Sequence, residues 1–198
     1  MCGIVGYIGK RQAAPVLLDG LSKLEYRGYD SAGLAIYDGS AINIQKSTGR
    51  LKVLSELTHD GSTMPGTVGI GHTRWATHGE PNDTNAHPHF NEARSIAVVH
   101  NGIIENYIKL KKKLVDRGYR FVSDTDTEIV AHLLDYYCKK TQGEVIETIT
   151  EVMHRVEGSY ALGILFADCP DKVYALRKDS PLIVGKSADG NLIASDVP

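Results

Sequence analysis

The strand and helix patterns in this chain are grouped rather than alternating, and that grouping predicts an α+β fold. Three observations carry the prediction. Strand patterns at Gly33 to Tyr37 and Ala41 to Lys46 bracket Asp38-Gly39, a strong hairpin signal. Three helical patterns between 106 and 156 follow one another with no strand between them. Short strand patterns then run consecutively to the C-terminal end, which suggests antiparallel hairpins rather than a doubly wound parallel sheet. The 198 residues are enough to bury a substantial core. With no internal repeat or linker in view, one domain spanning 2–198 is expected.

The elements follow in order. Ile4 to Ile8 is a short apolar strand ending at Gly9. Pro15 opens a helix whose apolar positions Leu17, Leu18, Leu21 and Leu24 keep the helical period. After the hairpin, Thr67 to His72 and Ser95 to His100 read as strands on either side of a polar loop. Asn106 is placed to cap a helix carrying Ile108, Leu110, Leu114 and Val115, with Gly118 placed to stop it. Thr125-Asp126-Thr127-Glu128 has the spacing of a capping box and precedes Ile129, Val130, Leu133, Leu134 and Tyr137. Gln142-Gly143 separates that helix from one bearing Val145, Ile146, Ile149, Val152, Met153 and Val156. Tyr160 to Ala167, Lys172 to Leu176, Leu182 to Gly185 and Asn191 to Ala194 complete the strands.

Composition narrows the function classes. A net charge of −2 offers no general attraction to nucleic acid or to an anionic membrane. The densest basic run, Lys109 to Lys113, lies in a helical pattern and reads as a solvated face. No apolar stretch approaches a membrane span, and no signal peptide is read at the start. Three cysteines, at 2, 138 and 169, form neither a disulfide framework nor metal-type pairs, so a reducing, cytoplasmic setting is expected. His72, His78, His87, His89 and His100 crowd one third of the chain, yet none has a partner at helical i, i+4 spacing. Structural and loop-ordering roles are favoured for them over a metal site, and no cofactor is expected.

Four clusters are candidates to carry chemistry. Cys2 lies directly behind Met1, so trimming of Met1 would make it the N-terminus. Its α-amino group, with an ordinary pKa of about 7.7–8.0, would then take the proton of its own thiol, of pKa about 8.5. The second cluster, Glu25 to Gly33, combines turn-forming glycines with Arg27 and other polar groups. The third runs from Gly71 to Pro81 and on to His89; Arg74 there suits a two-pronged hydrogen bond to a carboxylate, and Trp75 is the only tryptophan. The fourth is His100-Asn101-Gly102, where a side-chain amide and a backbone N–H adjoin. Two such donors aimed at one point make an oxyanion hole, although Asn-Gly taken locally is a turn signal.

In this order, Cys2-Gly3-Ile4-Val5-Gly6, the Arg27-Gly28 turn, Thr73 to Gly79 and His100-Asn101-Gly102 resemble the class II glutamine amidotransferases, members of the N-terminal nucleophile hydrolases. Glu25 to Gly33, Thr73 to Pro81, Asn85 to His89, His100 to Asn106 and Ser123 to Glu128 are most similar to the branch whose full-length enzymes aminate fructose 6-phosphate. The resemblance covers essentially the whole chain. It implies a four-layer αββα sandwich and hydrolysis of L-glutamine, with Cys2 as nucleophile and Asn101 and Gly102 as oxyanion donors. It also implies that Arg74 binds the α-carboxylate, that Asp126 binds the α-ammonium and that Thr77, His78 and Gly102 surround the substrate. Arg27 matches a position supporting the nucleophile, and Trp75 the gate to an ammonia channel. The family continues past the point where this chain stops, at Pro198, with the end of this domain and two sugar-isomerase domains, so this chain is expected to hydrolyse glutamine only. The full-length enzymes are expected to be homo-oligomers. The other readings are the corresponding half of the purine-pathway amidophosphoribosyltransferase or asparagine synthetase, and a non-catalytic glutamine-binding module should Met1 be retained.

Overall fold

In the computed structural model, residues 2–76 and 79–197 are described. The six-stranded sheet has the order β3-β2-β4-β1-β10-β9, from β1 (Gly3–Gly9), β2 (Ser31–Tyr37), β3 (Ile42–Thr48), β4 (Val68–Arg74), β9 (Ile183–Ser187) and β10 (Gly190–Ala194). The second sheet has the order β5-β6-β7-β8, from β5 (His89–Phe90), β6 (Ile96–Ile104), β7 (Gly158–Phe166) and β8 (Tyr174–Lys178). The pairings within both sheets are antiparallel. The helices are α1 (Ala13–Leu24), α2 (Leu51–Leu57), α3 (Tyr107–Val115), α4 (Thr127–Lys140) and α5 (Val145–Met153).

Three apolar clusters define the layers. Leu17, Leu21 and Leu24 of α1, with Leu51 and Leu54 of α2, pack on Val5, Leu34 and Ile36. Leu110, Leu114, Ile129, Leu133, Ile149 and Val152 of the other helices pack on Val98, Leu162 and Ile164. Between the sheets, Ile4, Ala35, Val68 and Ile70 meet Ala97, Val99, Ala161 and Leu165. The order is therefore helices, sheet, sheet, helices: the expected αββα sandwich.

Side chains alternate faces along a strand, and this alternation places the site. The inter-sheet row of β4 runs Val68, Ile70, His72, Arg74, and that of β6 runs Ala97, Val99, Asn101. Cys2 extends the row of Ile4 just before β1, and Ile4 pairs directly with His72. At one end of the sandwich, all three rows change from apolar to polar.

Several local expectations are corrected. Asn101-Gly102 is no turn: both residues lie within β6, opposite Ala161 and Tyr160. Asn106 does not cap α3; its side chain instead bonds the Arg155 carbonyl and the Glu157 N–H. The capping box before α4 does not form, because the Glu128 carboxylate accepts from Val122 N–H, Ser123 N–H and the Ser123 hydroxyl. Ile108, Val115, Ile146 and Met153 are exposed rather than core. α1 starts before Pro15, which occupies the first turn, where its missing N–H costs nothing. The sequence reading had no counterpart for α2 or for the two-residue β5.

Candidate active site

The wall bearing Cys2 is held largely through main-chain groups. The Trp75 N–H donates to Cys2 Sγ at 3.2 Å, and the thiol reaches the Trp75 carbonyl at 3.5 Å. The Trp75 segment is held in turn by the Glu25 to Gly33 cluster. The Asp30 N–H donates to the Arg74 carbonyl, and the Asp30 carboxylate accepts from the Ala76 N–H. Gly28 lies so close to this strand end that a Cβ would come within 2.7 Å of the Arg74 carbonyl carbon. Arg27 pairs with Asp196, whose carboxylate also accepts from Tyr26. Next to Asp196, Ser195 bonds both the N–H and the carbonyl of Ile4. Burial pushes the Cys2 thiol pKa up, against the pull of the Trp75 hydrogen bond, so the resting group is a thiol that needs a base.

The facing wall is held by buried side chains. Asn101 Nδ2 donates to the Cys2 carbonyl at 2.9 Å, and its Oδ1 lies 3.0 Å from His72 Nε2. Gly102 has φ +126°, and a Cβ there would stand 2.0 Å from the Ser159 carbonyl oxygen, so only glycine fits. Asp126 is buried, and its Oδ2 accepts the Ile104 N–H at 2.8 Å rather than capping α4. Thr127 Oγ1 lies 2.8 Å from both His87 Nε2 and His100 Nδ1. Burial lowers the pKa of His72 to about 3 and holds His87 and His89 well below the ordinary histidine value, so these rings are neutral. Among the described residues, no group of three or more His, Cys, Asp and Glu is placed to hold a metal.

Both walls open on one cavity of about 280 Å³. Its lining includes Cys2, Arg27, Arg74, Trp75, Asn101, Gly102 and Asp126, the described site residues expected from the sequence. Thr77 and His78 lie outside the described residues. Arg74 is buried and donates to the Gly79 carbonyl at 3.1 Å. Trp75 is 46% exposed and meets Tyr29 edge to face, which excludes core packing as its role. A thiol with adjacent amide donors, a guanidinium and a carboxylate in one cavity can bind a zwitterionic amino acid and attack its side chain. Sequence reasoning gave no site role to His72, Thr127, Ser180 or Pro181. The alternation along β4 was the available signal for His72.

The chain belongs to the glutamine amidotransferases: residues 72–198 match the family model described as "Glutamine amidotransferase domain". It is similar over its whole length to the glutamine–fructose-6-phosphate aminotransferases (isomerizing) of Caldanaerobacter subterraneus subsp. tengcongensis, at 61% identity, and Pyrococcus horikoshii, at 52%. It spans 32% and 33% of those two relatives, respectively, so this region corresponds to their glutamine amidotransferase part. Among solved structures, glutamine phosphoribosylpyrophosphate amidotransferase from B. subtilis matches with a TM-score of 0.82 at 27% identity, over 98% of this chain and 42% of that one. A class-II glutamine aminotransferase domain protein from Silicibacter pomeroyi, at 15% identity and a TM-score of 0.68, shares the fold over 98% of this chain and 88% of its own.

Proposed function

We propose that residues 2–198 form a glutaminase domain that hydrolyses L-glutamine to L-glutamate and ammonia through a thioester on Cys2. The observation that carries this reading is the convergence of the Cys2 thiol, the Asn101 amide, the Arg74 guanidinium and the Asp126 carboxylate on one cavity. With Met1 removed, the α-amine of Cys2 takes the thiol proton. The thiolate attacks the side-chain amide carbon of glutamine, and the carbonyl electrons move onto oxygen. Asn101 Nδ2–H and the Gly102 N–H receive that charge. Collapse of the adduct expels ammonia, with the ammonium of Cys2 returning the proton. Water, activated by the same amine, then cleaves the thioester.

Arg74 pairs with the substrate α-carboxylate and Asp126 with its α-ammonium, with Thr77 and His78 completing the pocket. Arg27, anchored on Asp196, supports the strand entry that carries Cys2. Trp75, exposed at the rim, gates the exit of ammonia. The names of its relatives support fructose 6-phosphate as the acceptor of that ammonia in any full-length chain built like theirs, and for such a chain we extend the reading to homo-oligomeric assembly and a cytoplasmic setting.

Glutamate and ammonia release from isotopically labelled glutamine tests the reading. Cys2→Ala should abolish release while calorimetric glutamine affinity stays within about tenfold, since the thiol acts mainly in the transition state. Hydrolysis retained by Cys2→Ala would overturn it.

A further inference from the structure

Building on that reading, we infer that His72 is a positioning residue for the oxyanion hole: its Nε2–H locks the Asn101 amide with nitrogen toward Cys2 and the substrate.

The tautomer follows from its partners. His72 is completely buried, and its Nε2 lies 2.9 Å from the His100 carbonyl oxygen and 3.0 Å from Asn101 Oδ1. A carbonyl oxygen only accepts, so the proton must sit on Nε2, which then donates to both oxygens. The other nitrogen, Nδ1, has no hydrogen-bond partner among the described residues. A buried lone pair there is tolerable, whereas a stranded N–H opposite two repelling oxygens would not be. Burial keeps the ring neutral, with a pKa of about 3, so this single N–H persists at working pH.

Consequences for Asn101 follow from the planarity of its amide. Oδ1 is held by His72, and one Nδ2–H is taken by the Cys2 carbonyl. The second Nδ2–H then has a set direction, and Asn101 lines the cavity beside Cys2 and Gly102. A hydrogen bond accepted at Oδ1 also polarises the amide and strengthens donation from its nitrogen. Without His72, the amide could rotate and present oxygen where negative charge develops. The His72 ring is itself braced by His87, at 4.2 Å between centroids, and His87 Nε2 is bonded to Thr127.

The test compares a ring without the donor and a donor without the ring. Full removal of an oxyanion donor costs about 10²–10³ in kcat, so partial loss of its orientation in His72→Phe should lower kcat about 10–100-fold. KM should stay within roughly threefold, because the bound ground state does not use the lost contact. His72→Gln, whose amide N–H₂ can reach the same oxygens, should return kcat to within about fivefold of the parent. In an Asn101→Ala background, His72→Phe should cost less than about twofold more. Equal losses in both backgrounds would make His72 merely structural and overturn the inference, as would an unchanged kcat in a folded His72→Phe.

A readout independent of turnover is ¹⁵N NMR. His72 should be the Nε2–H tautomer, with the Asn101 side-chain amide rigid in the parent and mobile in His72→Phe. An Nδ1–H tautomer, or an equally rigid amide in the variant, would contradict the inference even in a protein that failed to turn glutamine over. Failure of turnover with the expected tautomer and rigidity would instead count against the glutaminase reading alone.

Discussion

The two walls of the cavity are built differently. On the Cys2 wall, chain segments meet through backbone groups: Trp75 N–H to Cys2 Sγ, Asp30 N–H to the Arg74 carbonyl, and Gly28 against the Arg74 backbone. On and across to the facing wall, buried side chains carry the contacts: His72, from β4 of the Cys2 sheet, reaches Asn101 on β6, His87 and His100 meet Thr127, and Asp126 accepts from the Ile104 N–H. Backbone contacts tolerate little change in shape but much change in charge elsewhere. Side-chain networks can be broken electrostatically with the fold left standing. Disturbing the backbone contacts should therefore register mainly as stability, and disturbing the buried side-chain network mainly as chemistry and pH response.

The largest expected effect is on substrate binding. Asp126→Asn keeps an acceptor for the Ile104 N–H but loses the charge for the α-ammonium. A hydrogen bond to a charged group contributes about 1.5–3 kcal/mol, so KM for glutamine should rise roughly 10–100-fold with little change in Tm. Arg74→Ala should raise KM comparably through the α-carboxylate, and both losses should shrink for analogues lacking the corresponding charge. A drop in Tm for Asp126→Asn at unchanged KM would reduce Asp126 to an anchor for β6.

Acid should attack the buried side-chain network. Burial depresses the pKa of His72 to about 3, so the unfolded chain binds its proton more readily than the folded one. That stabilisation is complete above the unfolded value of about 6.5 and is lost as pH falls from there toward 3. By pH 5, His72 alone should forfeit on the order of 2 kcal/mol, with His87 and His89 acting in the same direction. Thermal melts should therefore decline from near pH 6.5, well above the carboxylate range. A flat profile down to pH 4.5 would mean that these rings gain protons without penalty.

The smallest effect tests the first wall. Gly28→Ala puts a Cβ 2.7 Å from the Arg74 carbonyl carbon. Overpacking of this kind costs about 1–3 kcal/mol, or a Tm loss of a few degrees to about 10 °C in a chain of this size. Glutamine KM should change less than in Asp126→Asn. The reverse ranking would erase the contrast between the walls.

What the sequence disclosed follows the same division. Cys2, Arg74 and the Gly28 turn could be picked out as candidates because the motifs that carry them, and the resemblance built on those motifs, are contiguous along the chain. The apolar periods of α1 and α4 and the Asp38-Gly39 hairpin were legible for the same reason. Asn101-Gly102 shows the limit: the dipeptide signals a turn, yet pairing with β7 draws it into a strand. The cap expected of Asn106 failed because backbone groups of Arg155 and Glu157 claimed its side chain, and the capping box failed because Glu128 turned to the N–H groups of Val122 and Ser123 just before the helix. His72 and Thr127 took no role because their partners come from other elements of the fold.

The central claim is that a terminal Cys2 carries the acyl group. Intact-mass spectrometry of the active protein, alone and rapidly acid-quenched during glutamine turnover, tests it most directly. The expected result is a chain lacking Met1 that gains one glutamyl group, localised by peptide mapping to Cys2. Turnover by a chain that keeps Met1, or a glutamyl group on Cys138 or Cys169 instead, would contradict it.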